Sequence, residues 1–147
     1  MLCSSTWLEK LSARIPFSSI DELKAISDTI WFNCSHDDWL EAFTHHPKIG
    51  YIESLEKKFA STKDWVSGEQ ATIHNASKNI LHDLAEGNRE YEKKFGYIFI
   101  VCATGKTAAE MLSILQQRLK HDPLKEITIA AEEQNKITHI RIDKLLS

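Results

Sequence analysis

Tyr97-Ile98-Phe99-Ile100-Val101-Cys102-Ala103 decides the fold class of this chain. Rich in aromatic and β-branched residues, it has the composition of a β-strand. A strand needs a neighbour to take up its backbone hydrogen bonds, and no second clear run of this kind stands in the sequence. The run therefore reads as a buried extended lead-in to a helix, or as part of that helix, and the chain as all-α. Five glycines and three prolines leave few turn positions, which favours long helices over many short strands.

Helix signals lie on both sides of the run. Downstream, Thr107-Ala108-Ala109-Glu110 is a capping box opening a helix with Met111, Leu112, Leu115 and Leu119 inside. Asp122-Pro123 starts the last helix, with proline at its first position. Ile127, Ala130, Ala131, Ile137 and Ile140 form its apolar stripe, and Arg141 lies beside that stripe, where its guanidinium can reach a cleft. Upstream, Gly96 closes a helical piece over 88–95, and Gly87 reads as the C-cap of the helix before it. That helix starts at the capping box Ser67-Gly68-Glu69-Gln70 and continues through Ile73, Ala76, Ile80 and Leu84.

Residues 51–64, with Tyr51, Leu55 and Phe59 at four-residue spacing, are expected to form a polar, exposed helix. Nearer the start, Trp7, Leu8 and Leu11 mark a helix that Pro16 ends. Ser19 and Glu22 form a capping box for a helix burying Leu23, Ile26, Ile30 and Trp31. Ser35 caps another, with Asp37 and Asp38 in its first turn and Trp39, Leu40 and Phe43 on its buried face. The expected architecture is a single domain over residues 1–147, a compact helical bundle of about seven or eight helices.

A hydrophobic fraction of 42% and a charged fraction of 27% are those of a soluble globular protein. The net charge of −3 gives no general attraction to nucleic acid or an anionic membrane. Cys3, Cys34 and Cys102 lie far apart with no CxxC pair, which argues against a zinc ribbon or disulfide framework. Cys102 reads as a small core residue. MLCSSTWLEKL lacks the apolar core of a signal peptide, and no apolar run is long enough to span a bilayer. The expected location is cytoplasmic.

Two stretches carry chemistry. In His45-His46-Pro47-Lys48-Ile49-Gly50, the proline disfavours helical geometry at His46, so a helix ends there with an imidazole at the mouth of a tight loop. A histidine so placed suits proton transfer, since it titrates near neutrality, and equally suits a plain helix C-terminus. At Ser67-Gly68-Glu69-Gln70 a hydroxyl, a carboxylate and an amide converge on a helix N-terminus, which also favours anionic ligands. A capped helix start needs no function, however.

Taken together, these words resemble a known family. HPKIG at 46–50, then S-x-E-Q at 67–70, then Tyr91-x-x-Lys94-Phe95-Gly96-x-x-Phe99-x-x-Cys102-Ala103, occur in the order and rough spacing of OHCU (2-oxo-4-hydroxy-4-carboxy-5-ureidoimidazoline) decarboxylases of uric acid degradation. Arg118-Leu119, Glu126, Ala130 and Ile140-Arg141 follow the family's last two helices. The resemblance covers nearly the whole chain. It implies an all-helical homodimer, without metal or organic cofactor, that converts OHCU to (S)-allantoin and CO2. It implies His46 as catalytic acid/base, with Pro47 lining the pocket. Ser67, Glu69 and Gln70 match the substrate-binding triplet, with Gly68 and Ala71 in the same segment. Glu69 is further expected to orient the imidazole or the substrate hydroxyl. The main chain of Ile98, Phe99, Ile100, Val101 and Cys102 is expected to hydrogen-bond the ring and ureido group, and Arg141 matches an arginine associated with the site.

Two other readings stand beside this one. His36-Asp37, His82-Asp83 and His121-Asp122 are the kind of pair used by helical metal-dependent phosphohydrolases of the HD type, although no phosphate loop or HExxH motif accompanies them. A non-catalytic helical binding module on the same fold is the third reading.

Overall fold

The computed structural model describes residues 4–46 and 70–146, with the side chains of 70–77 outside that description. Six helices form among these residues: α1 (Ser5–Ser12), α2 (Ile20–Phe32), α3 (His36–Thr44), α4 (Gln70–Phe95), α5 (Ala108–Arg118) and α6 (Pro123–Leu146). No strand forms among them, and the chain is all-α. The count is lower than the about seven or eight expected from element lengths, in part because α4 is one helix where two were expected. The expected helix over 51–64 and the cap at Ser67 lie outside the described residues.

Local chemistry starts these helices where the sequence places it. Ser4, Ser19, Ser35 and Thr107 are extended, and each side chain accepts a hydrogen bond from the backbone N–H three residues on. The reciprocal capping box is complete in α3, through Asp38, and in α5, through Glu110. In α2 it is not. The Glu22 carboxylate reaches one residue further, accepting from the Ser18 backbone N–H at 2.5 Å and from the Ser18 hydroxyl. These bonds favour the charged carboxylate and hold its pKa below the usual value.

Gly87 does not end a helix. It was expected to do so, and it instead lies buried inside α4, where a Cβ would stand 2.7 Å from Leu115 Cδ2 and 3.3 Å from its Cγ. The missing side chain is what lets α4 approach α5, the helix it packs on. Leu115 is fully buried, so its methyl has little room to yield. Gly87→Ala is expected to lower the urea midpoint. Crowding costs about 1–3 kcal/mol, against the roughly 1 kcal/mol that alanine returns in helix propensity.

The described residues fall into two compact units, 4–46 with 100–102 and 123–146, and 70–99 with 103–122. In the second, Gly96 at φ +84° ends α4, its N–H bonded to Glu92 O at 2.8 Å. Lys94 Nζ reaches across to the carbonyls of Leu119 at 2.5 Å and His121 at 3.1 Å, closing the end of α5. Tyr91 is fully buried, with the rings of Phe95, Phe99 and Tyr97 at 4.6, 5.3 and 5.8 Å. The Arg118 guanidinium lies over Phe99 at 4.7 Å and donates from Nη2 to the Tyr91 hydroxyl at 3.3 Å. Tyr97 and Phe99 thus pack side chain first against α4, which is why the strand-like run runs irregularly here.

In the first unit, α2 packs on α6, α1 on α2 and α3, and α3 on α6. Trp31 Nε1 donates to Ala131 O at 2.9 Å, tying α2 to α6. Trp39 Nε1 donates to Trp31 O at 2.9 Å, tying α3 to α2, with the two rings 6.1 Å apart. Carboxylates of α3 meet the first turn of α1: Asp38 accepts from Thr6 at 2.7 Å and Glu41 from the Ser5 backbone at 3.1 Å.

Candidate active site

His46 sits where the sequence puts it, one residue past the α3 C-cap His45, its N–H bonded to Phe43 O at 3.3 Å. Phe43 and Ala42 are buried and anchor this end of α3. The imidazole is half-buried, and its Nε2 meets the side-chain oxygen of Gln134 on α6. An amide oxygen only accepts, so Nε2 donates. Gln134 is itself 1% exposed. Its amide nitrogen reaches the Thr138 hydroxyl at 3.5 Å, and that hydroxyl donates to Gln134 O at 3.1 Å.

Burial pushes the His46 pKa below the ordinary histidine value, because the charged ring loses hydration. The Gln134 hydrogen bond opposes that shift without cancelling it, and the charges of Arg141 and His45 add to it. The ring is therefore neutral at neutral pH and has a lone pair with which to take a proton. Arg141 follows Gln134 and Thr138 on α6 at positions i, i+4 and i+7, so the three share one face. Its side chain is exposed while its charge is felt at His46.

The remaining expected site residues are distributed as follows. Pro47, Ser67, Gly68 and Glu69 lie outside the described residues, and Gln70 and Ala71 are described only as the backbone opening α4. Ile98 and Phe99 are half-buried in the unit of α4 and α5. Ile100, Val101 and Cys102 belong to the unit of His46, with Ile100 and Cys102 buried and Val101 half-buried. All of 98–102 runs without regular secondary structure.

Gln134 was missed. Its signal was present, since it continues the stripe of Ile127, Ala130 and Ala131 at helical spacing and is a polar residue on a buried face.

The His-Asp pairs have local explanations. His36 and Asp37 open α3, with His36 stacked on Trp39 at 5.3 Å. His82 is an exposed residue of α4 facing Glu86 at 3.9 Å, and His121-Asp122 directly precede α6. Among the described residues, no three His, Cys, Asp or Glu side chains come together to hold a metal ion. No helix among them is long and apolar enough to cross a membrane.

A family model described as OHCU decarboxylase matches residues 1–143. The "Uric acid degradation bifunctional protein TTL" of Arabidopsis thaliana is 42% identical over 145 residues, covering 98% of this chain and 44% of that protein. The chain thus spans less than half the length of that relative. A "2-oxo-4-hydroxy-4-carboxy-5-ureidoimidazoline decarboxylase" of Haloferax volcanii is 24% identical over 144 residues, covering 97% of this chain and 83% of that one. A crystal structure of OHCU decarboxylase in the presence of (S)-allantoin superposes with a TM-score of 0.78 at 40% identity, covering 98% of this chain and 93% of that one.

Proposed function

Because the chain belongs to the OHCU decarboxylase family, we propose that it converts 2-oxo-4-hydroxy-4-carboxy-5-ureidoimidazoline to (S)-allantoin and CO2 in uric acid degradation. The observation that carries the reading is the half-buried His46 hydrogen-bonded to Gln134 at the end of α3, where burial favours the uncharged ring. The resemblance read from the sequence and the OHCU decarboxylase crystal structure at 40% identity support it.

The chemistry asks for such a group. Breaking the bond to the carboxylate releases CO2 and passes the electron pair into the adjoining unsaturated ring, whose nitrogen takes up one proton from water. The enol so formed must lose its hydroxyl proton and gain one on the neighbouring carbon, from one face only, to give a single enantiomer. His46 takes the first and supplies the second. Glu69 orients the imidazole or the hydroxyl. Ser67, Gln70 and the backbone of 98–102 hold the ring by its amide-like edges. Arg141 meets the carboxylate loosely, since tight pairing would stabilise the ground state and slow its loss. In this reading residues 1–147 act as one domain, as a cytoplasmic homodimer without cofactor.

The test generates the unstable substrate in place, with urate oxidase and hydroxyisourate hydrolase, and follows chiral product by circular dichroism. Rapid appearance of (S)-allantoin is expected. A rate equal to spontaneous racemic decay would overturn the reading. The acid limb of kcat/KM is expected below the ordinary histidine range, because His46 must be neutral to accept a proton and burial keeps it so to lower pH. A limb above that range would remove His46 from the proton-accepting role.

A further inference from the structure

His46 has two ring nitrogens, and the reaction needs to know which one carries the exchangeable proton. The hydrogen bonds around Gln134 answer this. The Thr138 hydroxyl spends its proton on Gln134 O at 3.1 Å, so toward the Gln134 amide it can only accept. That places the amide NH2 of Gln134 on the Thr138 side at 3.5 Å and turns its oxygen to His46. Gln134 is nine-tenths or more buried in α6, so the amide has little freedom to rotate away. We propose that Gln134, oriented by Thr138, is a positioning residue that keeps a proton on His46 Nε2, so that Nδ1 is the nitrogen that exchanges protons with the substrate.

The role of Nδ1 rests on the decarboxylase reading; the tautomer does not. During turnover Nδ1 takes the hydroxyl proton, giving an imidazolium still bonded to Gln134 through Nε2, and returns a proton to the ring carbon. No oxidant is required, and the one net proton taken up, on the ring nitrogen, comes from water. The charged groups that act on the ring are Arg141, from the same face of α6 as Gln134, and His45 beside it. Both oppose the imidazolium, so the Gln134 oxygen is what favours it.

The experiment is 15N NMR of the 147-residue chain with labelled histidine, across the His46 titration, together with kinetics of Gln134→Met and Gln134→Glu. Methionine fills the space without an acceptor, and glutamate keeps the acceptor and adds charge. In the native protein, neutral His46 is expected with Nε2 protonated and Nδ1 bare. Gln134→Met is expected to mix the tautomers and lower kcat by about 10²-fold, with KM changed less than about threefold, since Gln134 acts through His46. Gln134→Glu is expected to keep the tautomer, restore most of kcat and move the acid limb to higher pH. A native His46 protonated on Nδ1 would overturn the proposal even if no variant folds. So would a Gln134→Met protein with native tautomer, pH profile and kcat. Loss of (S)-allantoin formation by the native protein would sink the proposed activity, whereas the NMR result would still decide the tautomer.

Discussion

Replacing His46 with alanine is expected to lower kcat by about 10²–10⁴-fold, the span that a positioned acid/base supplies. The imidazole is held at both ends. Its backbone follows the last turn of α3, through the bond to Phe43 O, and its ring donates to Gln134 on α6. Substitution leaves the buried Gln134 oxygen short of that donor, so a modest loss of stability of about 1–3 kcal/mol accompanies it. Activity and fold separate in His46→Gln, whose amide nitrogen stands near the position of Nε2, keeps a donor for Gln134 and has no titrating group. That variant is expected to fold like the native protein and to be as inactive as the alanine variant. Circular dichroism reads both, the far-ultraviolet signal for fold and the product signal for turnover. Native turnover in either variant would mean that another group moves the proton.

The largest stability effect is expected at Trp31. Its ring is buried at 3% exposure, its Nε1 ties α2 to Ala131 of α6, and its carbonyl receives Trp39 Nε1 from α3. Trp31→Ala removes a large core side chain, at a cost of about 3–5 kcal/mol. That is a large share of the about 5–15 kcal/mol by which native proteins are stable. The urea midpoint is expected to fall by about 1–5 M at an m value near 1–3 kcal/mol per molar. Trp31→Phe keeps most of the ring and leaves the Ala131 carbonyl without this donor, so its loss is expected near 1–3 kcal/mol. Equal losses in the two variants would show that the hydrogen bond, and not the packing, holds α2 to α6.

What was legible in the sequence was mostly local. Ser35 and Thr107 start their helices because their hydroxyls are within three residues of a free N–H, and Gly96 ends one because it alone tolerates a positive φ. His46 was legible for the same reason, through the proline that follows it. Gly87 was misread because its reason is tertiary: Leu115 occupies the space its side chain would fill, and Leu115 belongs to another helix. The Glu22 carboxylate reaches one residue further than the capping box implies, since Ser18 offers it both an N–H and a hydroxyl while the Ser19 hydroxyl accepts from the Glu22 N–H. Gln134 was passed over because the stripe of α6 was counted by its aliphatic members, Ile127, Ala130, Ala131, Ile137 and Ile140. The substrate-binding roles expected at Ser67, Gly68 and Glu69 rest on resemblance, and those residues lie outside the described residues.

One helix, α6, carries both the Ala131 carbonyl that anchors Trp31 and the amide that orients His46. Successive residues on a helix are offset by about 100°. A single insertion or deletion between Ala131 and Gln134 would therefore leave one of the two in place and swing the other about a quarter turn out of phase. Substitutions can be tried there one at a time, whereas a change of length cannot be absorbed locally. The spacing between those two residues is thus a fixed phase relation, under constraint even where the side chains between them are free to vary.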